Sequence, residues 1–220
     1  VAGLVIGGLS GLVNGLLITR ALLPPAIATF GMLWIARGLS FAVMGANTIF
    51  GFPRAFRLIG IGYWLGIPIP VLLMAGVAVV VTLFLNYSTL GRSIYAVGAN
   101  PDAANASGIE TYRTILTAYM LSGLMAAIAG IMLCARLNAV DQNAGAPFLL
   151  PAIASAVMGG TSMQGGEGGV GGTIIGSLIM IVLGNGMNLL RISSVWQQFV
   201  IGAVVVLAVW FDITLKKKQG

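Results

Sequence analysis

Residues 70–86 read PVLLMAGVAVVVTLFLN, seventeen positions without one charged side chain. An α-helix rises 1.5 Å per residue, so about 17–25 apolar residues cross a hydrocarbon layer of about 30 Å. The stretch therefore reads as a membrane-crossing helix. Working outward, residues 1–18, 26–46, 115–135, 171–190 and 196–212 meet the same test. A seventh apolar piece, 148–159, lies between Pro147 and a glycine-rich run over 159–172. It is too short to span comfortably and reads as a broken or re-entrant helix. The expected fold is all-α, a polytopic transmembrane helix bundle forming a single domain over 1–220.

Composition agrees. Hydrophobic residues make up 58% of 220 positions, charged residues 7%, and the mean hydropathy is +1.02. Soluble domains carry about 25% charged residues, so lipid is the expected partner of most of this surface. One cysteine, Cys134, and no histidine exclude an internal disulfide and leave zinc chemistry without its usual ligands. No cofactor, metal site or catalytic residue is expected. The net charge of +6 is scattered, except for Lys216, Lys217 and Lys218 after the last apolar run. That cluster reads as a cytoplasmic anchor, and nucleic acid is not an expected partner.

With the lysines inside, the loops 19–25, 87–114 and 160–170 also fall inside if 148–159 crosses. Arg20, Arg92, Arg113 and the lysines then oppose Arg54, Arg57, Arg136 and Arg191, six charges against four. Val1 falls outside, and with no initiating Met the natural N-terminus is expected upstream.

Small residues recur at spacing four, which permits close helix approach in lipid. The series are Gly3, Gly7, Gly11 and Gly15; Ala118, Ser122, Ala126 and Gly130; and Gly168, Gly172 and Gly176. Pro25-Ala-Ile-Ala-Thr29 and Pro151-Ala-Ile-Ala-Ser155 look like a weak internal repeat of the inverted kind.

The loop 87–114 carries a short helix in outline. Asn100 can cap it, Pro101 suits its first position, Asp102 suits the positive end of the dipole, and Gly108 suits a left-handed stop. A helix of under two turns is unstable alone in water. This one rests on its own bundle or on a partner, or is only a tidy connector.

Gly91-Arg92-Ser-Ile-Tyr95-Ala-Val-Gly98-Ala-Asn100-Pro-Asp-Ala103-Ala104-Asn-Ala-Ser107-Gly108-Ile109 resembles the signature loop of ribose-type ABC importer permeases. Ala156-Val-Met-Gly159-Gly160-Thr161-Ser162 with Gly165-Gly166 and Gly171-Gly172-Thr173 is similar too. So are Ile27-Ala-Thr29-Phe-Gly31-Met32 with Ala36-Arg37-Gly38, and Asn185-Gly186-Met-Asn188-Leu189-Leu190 before Ser193-Ser194. The resemblance covers essentially the whole chain. It implies a membrane-spanning permease subunit of the bacterial plasma (inner) membrane, missing its first few spans. It also implies that two such subunits pair with two ATPases and receive sugar from an external binding protein. A cytoplasmic coupling helix would dock on the ATPase, a role carried onto Gly98, Asn100, Asp102, Ala103, Ala104, Ser107 and Gly108.

Gly166-Glu-Gly168-Gly-Val-Gly171 formally matches GxGxxG, but no strand pattern precedes it and no acidic residue follows about 20 positions on. A hinge or tight turn at Gly159, Gly160, Gly165 and Gly166 explains the glycines better. The five acidic residues lie in loops or at helix ends, against the membrane carboxylate common in ion-coupled carriers. Arg37, inside 26–46, either lines the pathway or binds carbonyls near the Pro24-Pro25 helix start. A sugar pathway wants neutral hydrogen-bonding groups and aromatic faces, for which Asn14, Trp34, Thr161, Ser162, Asn185 and Asn188 are candidates. Each is equally a natural interhelical partner. The segments 47–69 and 136–147, with Arg54, Arg57 and Asp141, are docking candidates for a binding protein. The alternatives are a branched-chain amino acid permease of the same superfamily and an ion-coupled carrier or channel.

Overall fold

The structure is a computed structural model describing residues 1–45 and 47–217, so Lys218 of the lysine cluster lies outside the described residues. Ten α-helices are described: α1 (Ala2–Thr19), α2 (Pro25–Met44), α3 (Arg54–Ile61), α4 (Ile69–Tyr87), α5 (Thr89–Ala99), α6 (Pro101–Ala106), α7 (Thr111–Leu137), α8 (Leu149–Met158), α9 (Val170–Leu189) and α10 (Ser194–Lys217). Four two-residue strands form two antiparallel pairs, β1 (Ile49–Phe50) with β4 (Ala139–Val140) and β2 (Tyr63–Trp64) with β3 (Ile67–Pro68). Among the described residues α1, α2, α4, α7 and α9 are long and apolar enough to cross a membrane. The described apolar part of α10, Ser194–Trp210, falls short of that length, as does Ala146–Met158. The all-helical membrane bundle read from the sequence is the fold observed, with the short helix α8 where 148–159 was singled out.

The chain packs as two compact units. One holds Val1–Val77 and Ala103–Gly145; the other holds Ala78–Asp102 and the chain from Ala146 onward.

In the first unit α1 lies along α7, and the glycine series of α1 is the seam. A Cβ at Gly11 would overlap the Tyr119 carbonyl, and one at Gly7 would meet Gly123 and Ala127. Gly15 faces Leu116 and Gly3 faces Ile131. The facing row on α7 is thus Leu116, Met120, Gly123, Ala127 and Ile131. The series Ala118, Ser122, Ala126 and Gly130 lies outside this row, and Gly130 has nothing within 4 Å among the described residues. The amphipathic α3 packs on the far end of α7, with Gly60 against the backbone of Ala135 and Arg136.

That end of α7 is tied to the segment between β1 and α3. Asn138 adopts the left-handed conformation (φ 53°), and its Oδ1 accepts a hydrogen bond from the Phe52 N–H at 3.1 Å. Asparagine tolerates this backbone region better than other residues with a Cβ. Asn138→Ala is expected to cost about 2 kcal/mol, one part strain and one part hydrogen bond. Asn138→Gly, which relieves the strain but not the lost bond, is expected to cost about 1 kcal/mol. Thermal unfolding of the detergent-solubilised protein checks this, and the reverse order would contradict it.

In the second unit α8 lies against α9 just as closely. A Cβ at Gly172 would overlap the Gly159 carbonyl, and one at Gly176 the Ser155 carbonyl. Here the third small-residue series does its packing, although Gly168 sits in the loop before the helix. The hydroxyls of the two repeat-like pentapeptides behave alike. Thr29 donates to the Pro25 carbonyl at 2.9 Å, and Ser155 to the Pro151 carbonyl at 2.6 Å.

Candidate functional site

The loop 87–114 is more helical than its sequence implied. Ser88 caps α5 by accepting the Gly91 N–H on its Oγ at 2.8 Å. Asn100 then breaks the chain direction with an extended backbone, and α6 begins at Pro101. The Asn100 Oδ1 accepts the Asp102 N–H at 3.1 Å, and Asp102 occupies the first turn. Gly108 stands at φ +84°, while the Ile109 N–H returns to the Ala104 carbonyl at 3.0 Å and closes the helix. Start, charge and stop lie where the residue types placed them.

The faces of α6 differ. Ala104 is buried, whereas Asp102, Ala103, Ser107 and Gly108 are exposed. The Ser107 hydroxyl donates to the Ala103 carbonyl at 2.9 Å, so it also secures the last turn. Gly98 is half-buried, and its contacts run inward to the backbone of Gly165 and Gly166.

The glycine-rich loop between α8 and α9 has its own order. Gly160, Gly165, Gly166 and Gly168 all have positive φ, which favours glycine. Buried Ser162 accepts the Gln164 N–H on its Oγ at 3.2 Å, and its own N–H donates to the Glu167 carbonyl at 3.0 Å. The Thr161 side chain sits where a Cβ at Gly168 would fall, with Oγ1 2.7 Å from that point. Thr161 and Ser162 therefore organise this loop. The loop rests on the end of α5, which joins two segments that the charge argument put on one side. The Arg20 guanidinium over the Tyr112 ring, 5.6 Å from its centroid, likewise joins the α1–α2 turn to the start of α7.

The remaining pathway candidates are dispersed. Asn14 Oδ1 on α1 is buried and has no hydrogen-bond partner among the described residues. Asn188 accepts from Gln197 Nε2 at 2.9 Å, and the same nitrogen donates to the Ile192 carbonyl, so this pair fixes the α9–α10 turn. Asn185 is exposed on α9. Trp34 is 62% exposed on α2, with the Arg37 guanidinium 5.3 Å from its ring centroid. Arg37 does not bind carbonyls near Pro24-Pro25. It donates to the Asn143 side chain, because the segment after β4 approaches α2.

Around that contact lies a polar cluster of which the sequence reading named only Asp141. Asp141 takes the Thr48 hydroxyl at 3.4 Å and the Asn143 N–H at 2.7 Å, and Gln142 donates to the Gly45 carbonyl at 2.7 Å. The only signal in the sequence was the unusual density of Asp, Gln and Asn over 141–143. Of the docking candidates, Arg54 and Asp141 are exposed, and Arg57 is half-buried with its Nε enclosed. Two open grooves, about 400 and 380 Å³, lie along single faces of α2 and α9. Ala26, Ile27, Phe30, Gly31 and Trp34 line the first; Ile175, Leu178, Ile179, Val182 and Leu183 line the second. Neither offers the hydrogen-bonding side chains that a polyhydroxylated substrate needs, beyond the single indole N–H of Trp34.

Comparison with known proteins supplies what the geometry leaves open. Residues 1–209 match a family described as branched-chain amino acid transport system / permease component. The ribose import permease of Bacillus subtilis (strain 168) is 42% identical over 201 residues, covering 90% of this chain and 62% of the relative. The D-allose transport system permease of Escherichia coli (strain K12) is 37% identical over 217 residues, covering 99% of this chain and 67% of the relative. The xylose transport system permease of Haemophilus influenzae is 44% identical over 154 residues, covering 70% of this chain and 41% of the relative. The chain thus spans about two thirds or less of the length of these relatives. No solved structure matches it. The family description names amino acids while these relatives are named for sugars, so the description fixes the architecture and not the cargo. The chain belongs to the branched-chain amino acid transport system / permease component family, as a multi-pass permease of the bacterial inner membrane similar to permeases named for ribose and D-allose.

Proposed function

We propose that the chain is the membrane-spanning subunit of an ATP-driven importer that carries a monosaccharide, a ribose-like pentose or a hexose, into the cytoplasm. Identity of 37–42% to ribose and allose permeases over nearly all of this chain carries the reading. ATP hydrolysis belongs to a partner ATPase, and this chain is a transport component with no catalytic residue. Its other partners are a second permease subunit, a periplasmic or extracellular sugar-binding protein, and lipid. The loop 87–114 is the cytoplasmic coupling loop. Asp102 and Ala103 of α6, with Ser107 and Gly108 just past its end, form the surface that meets the ATPase; Asn100 sets the helix start, and buried Ala104 seats the helix on its own chain. Small side chains there let a partner approach the backbone closely. Asn14, whose buried Oδ1 lacks a partner among the described residues, is the strongest candidate for contact with sugar hydroxyls. Trp34, Thr161, Ser162, Asn185 and Asn188 remain weaker candidates, because three of them already serve local structure.

The family description favours one second reading, transport of branched-chain amino acids. Uptake of labelled ribose, xylose, allose and leucine into cells lacking their own systems distinguishes the two. The expected result is accumulation of one or more of the sugars and none of leucine. Leucine accumulation alone would replace the sugar reading.

A further inference from the structure

The last turn of α5, which leads through Asn100 directly into α6, is pressed against the loop between α8 and α9. A Cβ at Gly98 would lie 2.8 Å from the Gly166 nitrogen, and one at Gly166 would lie 2.6 Å from the Ala99 Cβ. A Cβ at Gly165 would lie 2.5 Å from the Gly98 oxygen. Separations this short leave no room for a side chain, so the two segments meet main chain to main chain. Gly165 and Gly166 hold φ of +94° and +78° at the point of contact, a backbone shape that other residues rarely adopt. One turn earlier on α5, the Tyr95 hydroxyl donates to the Gly168 carbonyl at 2.9 Å, across 73 positions of sequence. The far side of the loop is equally tight, since Gly159 and Ser155 of the α8 arm lie directly on Gly172 and Gly176 of α9.

We propose that Tyr95, Gly98, Gly165 and Gly166 form the joint through which movement of the coupling loop is passed to the α8–α9 hairpin. The proposal rests on the importer reading and names the receiving element within the membrane domain. Close-packed main chain has little compressibility, so displacement of α5 moves the loop and does not compress the contact. The Tyr95 hydrogen bond lets the same joint act when α5 withdraws. The glycines of the loop thereby acquire a reason beyond turning the chain. They allow the approach, and their close seating on α5 keeps it stiff.

The test uses the full-length permease with its ATPase and binding protein in proteoliposomes. Sugar uptake, ATP hydrolysis and ATPase co-purification are measured for Tyr95→Phe and Gly98→Ala. A joint of this kind modulates coupling by a few-fold to about thirtyfold. Tyr95→Phe is expected to lower uptake about threefold to tenfold, and Gly98→Ala at least about tenfold. For Tyr95→Phe, ATPase binding and hydrolysis should stay near wild type, so that more ATP is consumed per sugar moved. Wild-type uptake by Tyr95→Phe overturns the joint, whatever Gly98→Ala does. A parallel fall of uptake, hydrolysis and co-purification also overturns it, because the residues would then only build the docking surface. A wild-type complex that moves no sugar with ATP overturns the importer reading instead.

Discussion

Gly11→Leu is expected to prevent accumulation of the folded protein in the membrane. A Cβ at this position already overlaps the Tyr119 carbonyl and crowds the Met120 Cα, so three further carbons have nowhere to go. Overpacking of a core usually costs about 1–3 kcal/mol, because neighbouring side chains shift. Here the neighbour is main chain inside a 27-residue helix, so the cost is expected to exceed about 3 kcal/mol. Gly130→Leu is the matched control. It lies on the same helix pair but has nothing within 4 Å, and it should insert and melt like the wild type. Membrane abundance and thermal unfolding in detergent report both variants. Equal loss for the two would mean that α7 presents a different face to α1.

Asp102→Arg is expected to abolish transport while leaving the bundle folded. The carboxylate lies in the first turn of α6, on the exposed side and beside the positive end of the helix dipole. Reversing its charge costs the short helix about 0.5–1 kcal/mol. It also sets a cation against any partner surface selected for an anion, where such a loss costs about 2–5 kcal/mol. Uptake should fall at least about tenfold, with unchanged membrane abundance. Glu110→Gln serves as the comparison, because the Glu110–Arg113 ion pair at 2.8 Å is largely exposed and worth little. Its uptake should stay within about twofold of wild type. Loss of uptake in both would assign the effect to general loop charge and not to α6.

The membrane helices were legible because a spanning helix must be apolar along its whole length, a constraint visible in one sequence. The expected span 196–212 falls within α10, whose side chains over 211–213 lie outside the described residues. The seam on α1 was legible because four glycines at spacing four occupy a single face. On α7 small residues occupy more than one face, so the spacing rule showed that close approach occurs without selecting the row that meets α1. Helix α6 was readable because caps and stops are local chemistry: Asn100, Pro101, Asp102 and Gly108 each act within a few residues. Helix α5 was not read, since Thr89, Gly91, Ser93, Tyr95 and Gly98 are modest or poor helix formers and only the Ser88 cap marked its start. The Tyr95–Gly168 bond and the Arg37–Asn143 contact were beyond reach for a different reason. They join positions 73 and 106 residues apart, and nothing in residue type alone selects such partners.

ATP-dependent uptake by a reconstituted complex of the full-length permease, its proposed ATPase and its proposed binding protein tests the importer reading most directly. Labelled ribose, allose and xylose would be offered outside proteoliposomes, with ATP or a non-hydrolysable analogue within. Sugar should concentrate inside only with hydrolysable ATP, and Asp102→Arg should prevent it. Equilibration of sugar to the same level with either nucleotide would contradict ATP-driven import and make the protein a passive channel or carrier.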